Sequence, residues 1–333
     1  MSAERSPFWR QRRVLVTGAS GMVGSWLVKA LLAAEASVIV LVHDADPQTE
    51  LYRSGDIRRC STVLGSLQDL WSLERAVTEH EADTVFHLGA QTIVGTANRF
   101  PLPTFETNIR GTYQLLEVCR LHRDIVHRVV VASSDKAYGD REQLPYTEDA
   151  PLTGRHPYDV SKSCADLIAQ AYHRTYGLPV AIARCGNVYG GGDLNWSRIV
   201  PGTIREFLHG RPIVLRSDGT YVRDYVYVKD AVQGYLRLAQ CLDSGQVRGE
   251  GFNFSNETPL TVRQIVAALQ QAMGCEHLEP VVENSARGEI RDQYLSAAKA
   301  RTVLGWAPQY DLNSGLAETI AWYRDYLKEN GIQ

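Results

Sequence analysis

Short runs rich in Val, Ile and Leu alternate along the first half of the chain with longer segments whose apolar residues recur every three or four positions. The runs predict strands at Arg13–Thr17, Ser37–Val42, Cys60–Leu64, Thr84–Leu88, Arg128–Ala132 and Val180–Arg184. The periodic segments predict helices at Met22–Ala34, Leu70–His80, Pro103–His122 and Ser161–Tyr176. Strands that alternate with helices form a parallel sheet covered on both faces, so the expected class is α/β, a Rossmann-type doubly wound sheet. Past Cys185 the alternation weakens into the Gly-rich "GNVYGGGDLNWSR", the segment "PIVLRSDGTYVRDYVYV", a strand-like "GFNFSN", and helices near Thr261–Met273 and Leu312–Glu329. That part reads as a smaller C-terminal α/β lobe. No internal repeat or low-complexity linker separates the two, so they are expected to pack together.

Composition narrows the function classes. With 333 residues, 44% of them hydrophobic and 22% charged, the chain can bury a sizeable core and is not a disordered one. A net charge of −3 without Lys/Arg blocks gives no electrostatic reason to expect nucleic-acid or membrane-surface partners. The six cysteines are scattered, with no C-x-x-C and no His spacing suited to zinc. Reduced thiols are therefore expected, with no metal site, which fits the cytoplasm. Residues Met1 to Arg13 lack an apolar targeting core and no stretch has the length of a membrane span, so secretion and anchoring are not expected.

Two motifs carry chemistry. In "VLVTGASGMVGSWL", Gly18, Gly21 and Gly24 lie between a predicted strand and helix. Glycines there let backbone N–H groups approach a pyrophosphate at the positive end of the helix. Asp44, just past the second strand, is the candidate for a ribose 2′-hydroxyl; a carboxylate there favours NAD, while NADP stays open because Arg53, Arg58 and Arg59 are near in sequence. In "HPYDVSKSCADL", Tyr158 and Lys162 stand four apart on one helical face. A phenol needs a neighbouring cation to serve as a base near neutral pH, and Lys162 can supply it. Ser134, at the end of the preceding strand, could hydrogen-bond the substrate oxygen that Tyr158 deprotonates, so the three together suggest a hydride-transfer site.

With these motifs, the chain resembles the extended short-chain dehydrogenases/reductases that act on nucleotide sugars, from "VLVTGASGMVGSWL" through "VFHLGAQ", "ETNIRGTYQLLE", "SSDKAYG", "PYDVSK", "GNVYG", "VRDYVYVKDAV" and "YLSAAKARTVLGW". It is most similar to the CDP-glucose 4,6-dehydratases, through "GSWL", "SDK", "PYDVSKSCAD" and "GNVYGGGDLNWSRIVP". The resemblance implies that sugar carbon 4 is oxidised with bound NAD, water is eliminated across carbons 5 and 6, and hydride returns to carbon 6. Such a reaction needs a base for carbon 5 and an acid for the carbon 6 hydroxyl. Many relatives use Asp-Glu there; this chain has Asp135 and Lys136. Asp135 is expected to be the acid, and Lys136 either the base or a cation that stabilises the enolate. A 4-epimerase of the same fold explains everything except those two residues, and a non-catalytic cofactor-binding regulator leaves Ser134, Tyr158 and Lys162 without purpose.

The resemblance also implies residues around the ligands. Thr17, Gly18, Ser20, Gly21, Met22, Val23, Gly24, Asp44, Ser66, Leu67, Leu88 and Ala90 are expected at the cofactor, together with Tyr158 and Lys162. Ser66 and Leu67 belong to a "GSL" that stands where the family usually has an adenine-contacting Asp. Gln91, Asn108, Asn187, Arg223 and Arg291 are expected at the nucleotide-diphosphate sugar, with both arginines as phosphate clamps. Residues 1–185 with 224–257 are expected to form the dinucleotide-binding domain, and residues 186–223 with 258–333 the nucleotide-sugar-binding domain. A homodimer through Pro103–His122 and Ser161–Tyr176 is implied, and Leu115, Cys119, Leu167 and Ala171 would serve it or cover the sheet.

Overall fold

A computed structural model describes residues 7–285 and 290–331. In chain order its strands are β1 (Arg13–Thr17), β2 (Ser37–Val42), β3 (Ser61–Leu64), β4 (Thr84–His87), β5 (Arg128–Ala132), β6 (Val180–Cys185) and β7 (Asn187–Tyr189). They continue as β8 (Val214–Leu215), β9 (Val222–Tyr227), β10 (Gly251–Phe254), β11 (Pro259–Thr261), β12 (Val281–Val282) and β13 (Asp292–Gln293). The helices are α1 (Met22–Ala33), α2 (Glu50–Arg53), α3 (Leu70–Thr78), α4 (Val94–Arg99), α5 (Pro101–Phe105) and α6 (Gly111–Leu121). After them come α7 (Pro157–Tyr176), α8 (Ile199–Leu208), α9 (Val228–Cys241), α10 (Val262–Met273) and α11 (Leu312–Glu329).

Seven strands pair in the order β10-β6-β5-β4-β1-β2-β3, and every pairing is parallel. Successive side chains leave a strand on opposite faces, and β1 shows the consequence. Val14 and Val16 join the core that includes Trp9, Leu27, Leu31 and Leu236, while Leu15 joins the one that includes Leu73, Leu115 and Cys119. Both faces are thus buried, which is why these strands read as continuous apolar runs. Each fully buried Val or Leu contributes roughly 1.5–3 kcal/mol. The order reverses at β1, which lies between β4 and β2, so a crevice opens at the carboxyl ends of β1 and β4.

The remaining chain builds a smaller layer in which β9 pairs with β7, β11 and β13, backed by α8, α10 and α11. All of β9 lies in this layer, so the chain returns to the large layer with α9, which packs on the large sheet, and not at residue 224. Two expected helices also differ. Pro103–His122 is interrupted: α5 ends at Phe105, a π turn covers Glu106–Arg110, and α6 follows. Apolar periodicity cannot report such an inserted residue. Helix α7 begins at Pro157, not Ser161, because proline at the first helical position loses no hydrogen bond. Tyr158 is therefore already helical. Among the described residues, no helix is long and apolar enough to cross a membrane.

Candidate active site

The loop after β1 is shaped by two glycines. Gly18 has φ +68°, and a Cβ on it would lie 2.6 Å from the Gly89 nitrogen. A Cβ on Gly24 would lie 2.1 Å from the Gly18 carbonyl oxygen, so only glycine lets α1 close on the loop. Gly18, Ser20, Gly21, Met22, Val23 and Gly24 then line a cavity of about 970 Å3 together with Leu88 and Ala90. A glycine cradle at a helix start is a chemically suitable seat for a dinucleotide pyrophosphate.

Four residues expected at the cofactor are not on this wall. Thr17 is fully buried; its Oγ1 bonds His87 Nδ1 at 2.8 Å and accepts from the Gly89 N–H at 3.1 Å. Asp44 lies past the end of β2 with its side chain 87% exposed, beside His43. Leu67 is buried under Gly89 and Gly111, and Ser66 accepts from the Gln68 N–H. His87 is held between Thr17 and Thr112, and burial pushes its imidazole down to about 3, so it is a neutral packed residue.

At the carboxyl end of β5 the chain makes a 3-10 turn, Asp135–Tyr138, capped by Ser134, whose Oγ accepts from the Lys136 N–H at 3.2 Å. That hydroxyl donates to Asp135 Oδ1 at 2.9 Å. Ser134, Asp135, Lys136, Tyr158 and Lys162 all reach the cavity wall. Burial raises the Asp135 carboxyl above its ordinary range, against the pull of the Lys136 charge, and Oδ2 has no protein hydrogen-bond partner. Lys162 Nζ donates to the Ala132 carbonyl at 2.9 Å, and burial brings its ammonium down to about 8.

Tyr158 itself is pushed up to about 12 by burial. The cation that opposes this is Arg198, not Lys162, while Asp135 reinforces the rise. Arg198, paired with Asp193 at 2.9 Å, and Arg216 line the cavity although neither was singled out from the sequence. Their only sequence signal is a basic residue at the end of the Gly-rich "GGGDLNWSR" and another in "PIVLRSDGTYVRDYVYV".

Of the residues expected at the sugar nucleotide, Asn187 and Arg223 line the cavity. The Arg223 guanidinium donates to the carbonyls of Val222 and Arg291 at 2.8 Å and of Ile290 at 2.6 Å, so part of its fork is spent on backbone. Arg291 is exposed and off the wall, and Gly288 and Glu289 of its motif lie outside the described residues. Gln91 and Asn108 are also off it. The Asn108 amide is buried, bonded to Gln91 backbone at 2.7 and 3.0 Å and to Ser161 Oγ at 2.9 Å, so it fastens the loop after β4 to α7.

Residues 14–253 match the family described as NAD dependent epimerase/dehydratase. The chain belongs to this family. A CDP-glucose 4,6-dehydratase of Salmonella typhimurium is 31% identical over 96% of this chain and 93% of its own length. Among solved structures, the dTDP-glucose 4,6-dehydratase of Streptomyces venezuelae with NAD bound superposes with TM-score 0.85 at 30% identity, over 96% of this chain and 100% of that one. The UDP-glucose 4-epimerase of Thermotoga maritima with UDP-glucose gives TM-score 0.86 at 29% identity, over 95% and 99%. This epimerase/dehydratase fold therefore carries both reactions, and the choice between them rests on individual side chains.

Proposed function

We propose that the protein is an NAD-dependent nucleotide-sugar 4,6-dehydratase acting on a nucleoside diphosphate glucose. The observation that carries this reading is the buried Asp135 with the half-buried Lys136 next to it, on the same wall as Tyr158, because an epimerase has no use for the two. The Gly18–Gly24 loop, Leu88 and Ala90 would hold NAD. NAD supplies the hydride acceptor and donor when bound.

The chain's own groups do the rest. Tyr158 takes the proton of the carbon 4 hydroxyl while Ser134 bonds the same oxygen, and the positive charge of Arg198 favours the phenolate. Asp135, held toward its protonated form, gives a proton to the carbon 6 hydroxyl as it leaves. Arg198, Arg216 and Asn187, which line the cavity with Arg223, would bind the diphosphate end. The large layer serves the cofactor and the small layer the sugar nucleotide.

A homodimer through α6 and α7 is supported by the exposed Tyr113, Leu121, Leu167 and Tyr176. Leu115 and Cys119 instead cover the sheet. The six cysteines are free thiols, which suits a cytoplasmic enzyme. Purified protein with NAD, incubated with CDP-glucose, dTDP-glucose, UDP-glucose and GDP-mannose, is expected to remove one water from one of them by mass spectrometry. An unchanged mass with inverted carbon 4 by NMR would assign an epimerase instead.

A further inference from the structure

Asp159 stands between Tyr158 and Lys162 in "PYDVSK", and the steps above leave it without a task. It lies in the first turn of α7, where a carboxylate suits the positive end of the helix. That alone does not account for its place. Asp159 is 4% exposed and shares the cavity wall with Asp135 and Lys136. The Ser163 hydroxyl, one turn further along α7, bonds the Asp159 carbonyl at 3.0 Å and the Ala137 carbonyl at 2.9 Å, so the start of α7 is fastened to the turn that carries Lys136.

Among the described residues, Lys136 and Asp135 from the turn and His156 from the start of α7 act on the Asp159 carboxyl group, and Lys136 acts on that of Asp135 together with Arg223. A protonated lysine has no lone pair with which to take a proton. Asp135 is occupied with giving one. We infer that Asp159 is the base that removes the carbon 5 proton, with Lys136 acting between the two carboxyl groups as a fixed cation. This inference rests on the dehydratase reading.

The step balances within the groups named. The carbon 5–hydrogen bond breaks and the proton goes to the Asp159 carboxylate. Its electron pair is held on the carbon 4 oxygen as an enolate beside Lys136, then expels the carbon 6 oxygen, which leaves as water with the proton from Asp135. Burial raises the Asp159 carboxyl above its ordinary range, which makes it a better base than an exposed aspartate.

Asp159→Asn keeps the shape and an acceptor oxygen and removes the base; Asp159→Ser, a smaller polar residue, serves if the first variant folds poorly. In deuterated water, exchange of the carbon 5 hydrogen is expected to fall at least about 100-fold while the melting temperature stays unchanged. In lysine-labelled protein without sugar, the side-chain nitrogen of Lys136 is expected to titrate at least about one pH unit lower in the variant, since a carboxylate beside it is gone. Wild-type exchange at carbon 5 in the variant, or an unmoved Lys136 titration, would overturn the inference. A wild-type protein that removes no water from any sugar nucleotide would instead sink the dehydratase reading, while the Lys136 titration would still report on the cluster.

Discussion

A carboxylic acid donates a proton near neutral pH only if its surroundings hold the proton on, and at Asp135 burial does so against the charge of Lys136. Asparagine has the same shape and can still accept from Ser134, but has no acidic proton to give. Asp135→Asn is therefore expected to slow water loss at least about 100-fold while carbon 5 exchange with deuterated water continues. Mass spectrometry and NMR on one reaction separate the two; equal loss of both would contradict an acid role for Asp135. At this scale the sequence was informative where the chemistry is contiguous. Ser134, Asp135 and Lys136 are neighbours, and Tyr158 and Lys162 share a helical face, so spacing alone brings them together. Arg198 reaches Tyr158 only through the tertiary path of the Gly-rich segment, which leaves no periodic trace. Thr17 and Asn108 look like ligand contacts in one dimension but spend their hydrogen bonds on His87, Gln91 and Ser161.

Elements hold the reactive turn through a buried pair. Arg184 of β6 bonds Asp166 of α7 through two nitrogens, Nε at 2.8 Å and a second at 2.9 Å, and both side chains are almost fully buried. The same guanidinium donates to the Tyr138 hydroxyl at 2.8 Å, which donates to Asn253 of β10 at 2.7 Å. Tyr138 ends the turn that begins with Asp135, so β6, α7 and β10 all anchor it. Arg184→Met would leave Asp166 buried without its partner, at a cost of about 3–5 kcal/mol. Chemical denaturation is expected to show a loss of that size, and an unchanged midpoint would mean that the pair does not hold these elements. The strands of the large sheet were legible because two buried faces demand continuous Val and Ile, whereas the π turn at Glu106–Arg110 was not.

Across the whole molecule the two layers are clasped around the cavity. Glu50 of α2 is buried against Lys29 of α1 and Arg53, and accepts from Trp322 Nε1 of α11 at 2.8 Å. Trp26 of α1 donates to the Gly191 carbonyl at 2.8 Å, in the segment that leads to Arg198. The large layer thereby fixes where the small layer places its arginines. The small layer was only partly legible, since β8, β12 and β13 have two residues each and are too short to show a period. On the dehydratase reading, one cavity moves hydrogen from carbon 4 to carbon 6 and removes water between those steps. The most direct test uses a nucleoside diphosphate glucose that carries deuterium at carbon 4, with the product read by NMR. Deuterium at carbon 6 of a 4-keto-6-deoxy sugar is the predicted result; deuterium retained at carbon 4 of a sugar with its water intact would contradict it.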